Sequence, residues 1–208
     1  YGIDSILKCY CKLPSAYALK IVYSHGSSEN DFVWKVEMES PLPAIVAYTQ
    51  KYYEVLKEAN RHIRFPKKIY HATFPFLYAI ELLKDLPKPN RCGTIFFPSH
   101  STHHIKTTLD FEGLADKLES LDSQYQPITV CVYWKDFISG SHIPFLKKGL
   151  KIVSAGHMYD PLFYLRFYHL CSMHQYSSGN SFGSHLFYSV KSGCSYFHIK
   201  DFPYSLHA

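Results

Sequence analysis

Between Gly93 and Ile199 the chain passes five times through a short strand-like run, and longer amphipathic stretches fill the spaces between. The runs are Gly93 to Phe97, Ile128 to Tyr133, Lys151 to Ser154, a short one near Tyr176, and Ser195 to Ile199. Helical spacing of apolar residues marks Phe111 to Leu121, Pro144 to Lys148, Pro161 to Met173 and the stretch that ends at Gly193. Strands that alternate with helices call for a mostly parallel sheet with helices on both faces. The first part of the chain repeats the pattern. Strands are expected at Lys20 to Ser24, Leu42 to Ala47 and Lys68 to His71, with helices at Ile3 to Cys11, Gln50 to Asn60 and Pro75 to Leu86. The segment Asp85 to Arg91, DLPKPNR, carries two prolines in a polar setting and reads as a linker. The fold predicted is therefore α/β, two Rossmann-like halves with mostly parallel sheets, divided into residues 1–88 and 89–208.

Composition narrows the function classes. With 208 residues and 47% apolar content, the chain can bury a sizeable core. The formal charge of +5 is spread thinly, with only short pairs such as Lys67-Lys68 and Lys147-Lys148. That excludes a nucleic-acid footprint and is compatible with phosphorylated ligands or with peripheral contact to an anionic membrane surface. No apolar stretch is long enough to span a bilayer. The six cysteines form no CxxC pair, and Cys131 and Cys171 fall inside apolar or amphipathic segments, as expected of reduced thiols in a cytoplasmic setting.

In a parallel α/β sheet, ligands bind beyond the carboxyl ends of the strands. Four polar segments follow strands here: Pro98 to Thr102, Trp134 to Asp136, Ala155 to Asp160, and Ser177 to Asn180. The most specific is the stretch Tyr176 to Gly193, YSSGNSFGSHLFYSVKSG, where glycines and hydroxyl residues lead directly into an apolar helix. The first amides of such a helix lack intrahelical partners and sit at the positive end of its dipole, so they hold an anion without a lysine. Asn180, Ser181, Gly183 and Ser184 stand at that mouth, and His185, one position further in, adds charge if protonated. Ser99, Ser101 and Thr102 offer hydroxyls to the same anion, with His100 beside them. Gly156 and His157 follow a strand and are candidates to line a nucleoside pocket, while Asp160 suits an N-cap for the helix begun by Pro161.

The motifs GTIFFPSHST, TVCVYWKD, KIVSAGHMYDPLFYLRFY and SSGNSFGSHLFYSVKSGCSYF together resemble the nucleotide-sugar-binding domain of a GT-B-type glycosyltransferase of the bacterial surface-polysaccharide kind. The first half, with IVYSHGSS at a strand end, resembles the acceptor-side domain of that class. The resemblance implies a metal-independent transfer of sugar from a nucleotide-sugar donor to a glycan or lipid-linked glycan acceptor. It implies no cofactor beyond the donor, and a place in the cytoplasm or at the inner membrane. Complete enzymes of the class are longer, so this chain fits a shortened member or a fragment.

His25, after the first strand, is the candidate general base, since an imidazole titrates near neutrality. Asp31, Glu37 and Glu39 stand behind it, the last two sharing a face if their segment is extended. Two other readings compete. The histidines His100, His103 and His104 offer three imidazoles to a metal-dependent hydrolase, although no carboxylate stands at a metalloenzyme spacing. A non-catalytic nucleotide- or sugar-binding module is the other.

Overall fold

The computed structural model describes residues 1–24, 31–102 and 106–207. Its contacts divide the chain into two compact units, Ile3–Glu81 and a second made of Tyr1–Gly2 with Leu82–Ala208.

The amino-terminal unit holds helix α1 (Ile3–Tyr10), strand β1 (Ile21–Tyr23), α2 (Lys35–Glu39), β2 (Ala44–Ala47), α3 (Gln50–Asn60), β3 (Lys68–His71) and most of α4 (Pro75–Leu83). Its three strands are all parallel, in the order β1-β2-β3. Central β2 is buried along its whole length, and Ile45 and Ala47 pack with Tyr52 and Leu56 of α3. The start of α3 is fixed by Thr49, whose side chain accepts the Tyr52 N–H.

The carboxy-terminal unit contains β4 (Thr94–Phe97), β5 (Lys106–Thr108), α5 (Phe111–Glu119), β6 (Ile128–Cys131), α6 (Trp134–Ile138), α7 (Ile143–Lys147), β7 (Lys151–Val153), α8 (Phe163–Ser172), β8 (Tyr176–Gly179), α9 (Ser184–Lys191), β9 (Ser195–His198) and β10 (Ser205–His207). Five of these strands form one parallel sheet in the order β7-β6-β4-β8-β9, while β5 and β10 pair antiparallel as a separate ribbon. On one face Phe96, Val130 and Ile128 pack against Leu114, Leu118 and Phe145 of α5 and α7. On the other, Phe97 stacks on Phe167 of α8 at 5.1 Å between ring centroids, and Tyr164 meets Tyr188 of α9 at 5.7 Å. Alternate residues of one four-residue strand thus feed both layers, and each buried aliphatic or aromatic side chain contributes about 1.5–3 kcal/mol.

The α/β class with parallel sheets is as predicted, and several local expectations change. Lys35–Glu39 is helical, so Glu37 and Glu39 do not share a face. Trp134–Ile138, which begins in one of the polar segments that follow strands, is helical. Helix α8 begins at Phe163, with Leu162 at its cap position and no side-chain cap, so Asp160 does not cap it. The Asp160 carboxylate instead accepts the Leu162 N–H at 2.8 Å in a turn before the helix.

Candidate functional site

The sheet order fixes where a ligand could be held. Starting at β4, the chain adds β6 and β7 on one side, then crosses back to add β8 and β9 on the other. The helices that leave β4 and β8 therefore lie on opposite faces of the sheet, and the carboxyl ends of these two strands are the usual binding place in sheets of this kind. Phe97 pairs with Gly179 at the last rung, so residues 98–102 and 180–185 begin side by side.

Loop 98–102 is held by groups from both neighbouring strands. The Ser99 N–H donates to the Asn180 side-chain oxygen at 2.8 Å, and the Ser101 N–H to the buried carboxylate of Asp136 at 2.9 Å. The Lys135 ammonium donates to the Thr102 carbonyl. The Ser101 hydroxyl, expected to face a ligand, accepts the Thr107 N–H at 3.1 Å. The Ser99 hydroxyl is buried and has no hydrogen-bond partner. His100 is exposed, with Nδ1 3.1 Å from the Ser101 carbonyl oxygen. Its ring opens a series along the rim in which His100, Tyr133, Trp134, His157 and Tyr159 follow with centroids 4.6, 6.0, 4.3 and 5.1 Å apart.

The turn after β8 carries the helix mouth. Asn180, expected at the anion, spends its side chain internally, accepting from Ser99 N–H and donating to the Phe202 carbonyl at 3.1 Å. Gly183 enters α9 in an extended conformation, and no side chain caps the helix. The Ser184 hydroxyl hydrogen-bonds Tyr188 one turn on, which leaves the amides of the first turn as the polar groups the mouth presents. His185 turns back over the strand ends. A Cβ on Gly179 would fall 2.9 Å from its Nε2 and 3.0 Å from the Phe97 carbonyl oxygen, so glycine is what makes room for the ring. That Nε2 is hidden from water with no hydrogen-bond partner. Burial, aided by His100 and His198 and opposed by a backbone bond at Ser181, pushes the His185 pKa down to about 4. The ring is therefore neutral at neutral pH, and the charge expected of it is not supplied.

Gly156 and His157 lie in a loop closed on itself. The Gly156 N–H donates to the Ser154 hydroxyl at 3.1 Å, and the Tyr159 N–H to His157 Nδ1 at 3.1 Å. Arg166 reaches back from α8 to the Ala155 carbonyl at 2.5 Å and to Asp160 at 2.9 Å.

Compared with protein-family models, curated proteins and solved structures, the chain matches none.

In the amino-terminal unit, His25 lies outside the described residues. Asp31 is exposed and pairs with Lys51 at 2.9 Å. Glu37 is buried and accepts the Tyr52 phenol hydrogen, and burial together with that carboxylate raises the phenol's pKa. Glu39 is exposed and pairs with Lys35 at 3.5 Å. The structure therefore does not bring Asp31, Glu37 and Glu39 together as a set of bases. Each unit carries a surface groove. One of about 600 Å³ borders Ser40 to Pro43 and Ile63 to Lys67, and one of about 470 Å³ borders Trp134, Phe137, His142 and Ile152.

His103 and His104 also lie outside the described residues. Among those described, no group of three or more His, Cys, Asp or Glu side chains could hold a metal ion, and no helix is long and apolar enough to cross a membrane. Sequence reasoning missed Tyr196 and His198 of β9. The Tyr196 hydroxyl lies 3.4 Å from His198 Nδ1, and the exposed ring of Phe182 stacks on His198 at 4.4 Å. The period of two along Ser195–His198 could have flagged them, since it sets both on one face.

Proposed function

We propose that this chain is a GT-B-type glycosyltransferase, or a part of one, that takes sugar from a nucleotide-sugar donor without a metal and delivers it to a glycan or lipid-linked glycan acceptor. The observation that carries the reading is the meeting of an uncapped helix start, α9, with the hydroxyl-bearing loop 98–102 at the point where the strand order reverses. Backbone amides of residues 183–185 would stabilise the departing diphosphate, with the hydroxyls of Ser99 and Thr102 nearby. The row of rings from His100 to Tyr159 suits stacking on a base. His185 would act as an uncharged hydrogen-bonding group. His25 remains the candidate base of the reading, which also places the protein in the cytoplasm or at the inner face of a membrane.

The test is a thermal-shift screen against UDP, GDP and CMP, followed by turnover with the matching sugar nucleotides. A ligand at one hundred times its Kd adds about 2.7 kcal/mol of stability, enough for a clear rise in melting temperature. If none of the three nucleotides shifts the transition at millimolar concentration, the reading fails. In an active preparation, His25→Ala should lower turnover by about 10²–10⁴-fold with donor affinity nearly unchanged. A selective loss in Asp31→Asn, Glu37→Gln or Glu39→Gln would move the base there.

A further inference from the structure

The amino-terminal unit carries a surface at the end of its sheet away from the carboxyl ends of the strands. Four of the eight residues from Arg61 to Lys68, RHIRFPKK, are Lys or Arg, and none is acidic. The segment joins α3 to β3, and because β2 and β3 are parallel it lies beside the residues that lead into β2.

Its base is pinned. The Asn60 carboxamide closes it, accepting the Lys67 N–H at 2.8 Å and donating to the Lys67 carbonyl at 2.9 Å. The buried Lys67 ammonium donates to the carbonyls of Ser40 and Leu42, the latter at 2.7 Å, and so ties the segment before β2 to the segment before β3. Above this base Phe65 stands 76% exposed, with the Arg64 guanidinium 5.2 Å from its ring centroid. Pro41, Pro43 and Pro66 are exposed as well, and with Phe65 they border the groove of about 600 Å³. Single apolar residues on a surface need no explanation, whereas a contiguous apolar patch rimmed by charge marks a contact.

The charge around the patch selects the partner. Glu58 is taken by Arg61 at 2.5 Å and by His62 at 3.4 Å, and Glu39 by Lys35 at 3.5 Å. Arg64 and Lys68 are exposed, and among the described residues no carboxylate pairs with either. One ring and three prolines offer less area than a stable protein–protein interface buries, but a bilayer needs no such area: an aromatic ring settles at the level of the headgroups while cations beside it meet lipid phosphates.

We propose that the segment from Arg61 to Lys68 docks the protein on an anionic phospholipid surface, with Phe65 entering the headgroup layer and Arg64 and Lys68 facing the phosphates. The contact is reversible, since one ring and a few cations hold a membrane far more weakly than an inserted helix does. The segment belongs to the amino-terminal unit and the nucleotide site proposed above to the carboxy-terminal one, so the two kinds of binding can fail separately.

The experiment is co-sedimentation of the full chain with vesicles of phosphatidylcholine alone and of phosphatidylcholine with an equal share of phosphatidylglycerol, beside ultracentrifugation without vesicles. Binding is expected to the mixed vesicles only, falling several-fold as salt rises from about 0.1 M to about 1 M. Arg64→Gln and Lys68→Gln should each lower the partition coefficient about fivefold, and Phe65→Ser about tenfold. No binding to the mixed vesicles overturns the proposal, as does equal binding to both kinds. Binding unchanged when all three substitutions are combined places the membrane contact elsewhere and also overturns it. Self-association without vesicles that Phe65→Ser abolishes overturns it in favour of a second copy of the chain as occupant. Should a variant fail to fold, acetylation of Lys68 in the parent, read by peptide mass, decides: mixed vesicles are expected to protect it, and equal labelling with and without them overturns the proposal.

Discussion

The loop after β7 and the turn after β8 look alike in sequence, each a polar, glycine-bearing segment between a strand and a helix, yet the structure uses them in opposite ways. In the first, Asp160 and Arg166 clamp the backbone, His157 accepts a neighbouring amide, and the Met158 carbonyl accepts the amino-terminal ammonium of Tyr1. In the second, Gly183 leads into α9 with no side-chain cap. Polar residues at a strand end are thus of two kinds, those already satisfied by the fold and those still able to meet a ligand. Composition does not tell them apart.

The largest effect that would sharpen this contrast is at Gly156. Its φ is +98°, and an added Cβ would lie 2.3 Å from Arg166 Nη1, so Gly156→Ala strains the backbone and dislodges the clamp. A loss of about 3 kcal/mol in denaturant unfolding is expected. A loss below about 1 kcal/mol would show that the loop is not the scaffold described.

His185 gives the next effect, through pH. Its folded pKa of about 4 lies below the unfolded value near 6.5, so between those limits the unfolded chain binds the extra proton and stability falls as the solution is acidified. Above the unfolded value the group contributes no slope. Unfolding free energies at pH 7 and pH 4.5 should differ by about 2 kcal/mol less in His185→Gln than in the parent. Equal acid sensitivity in the two proteins would place the titrating group elsewhere, with His174, also lowered by burial, the first to examine.

The smallest effect concerns the open turn. Ser184→Leu should leave stability within about 1 kcal/mol while weakening nucleotide binding by roughly 1–2 kcal/mol, because bulk beside the first-turn amides obstructs an anion. Titration calorimetry with the nucleotide found in the screen checks it. Unchanged affinity would put the turn after β8 in the same class as the loop after β7.

Much of the architecture was legible because apolar runs report burial directly. Thr94–Phe97 and Ile128–Cys131 are buried at every position, and Gln50–Asn60 declares itself by its periodicity. The ribbon of β5 and β10 was not, since its strands are short and mostly exposed, with Thr107 alone buried. At the site, the segments could be read and the roles could not. Asn180 is taken up by a carbonyl twenty-two residues away, and Ser101 by a carboxylate thirty-five residues away. Such partners are set by the sheet order, which local sequence does not encode.

The Asn180 carboxamide has one more consequence, a mechanical one. It joins the loop after β4 to the chain near Phe202, three residues before β10, while β10 pairs with β5 and the Thr107 amide of β5 returns to the Ser101 hydroxyl. These bonds form a closed circuit, so loop 98–102 cannot shift without loading the carboxy-terminal ribbon. The Ser99 amide, although beyond the end of its strand, should exchange its hydrogen as slowly as the sheet itself.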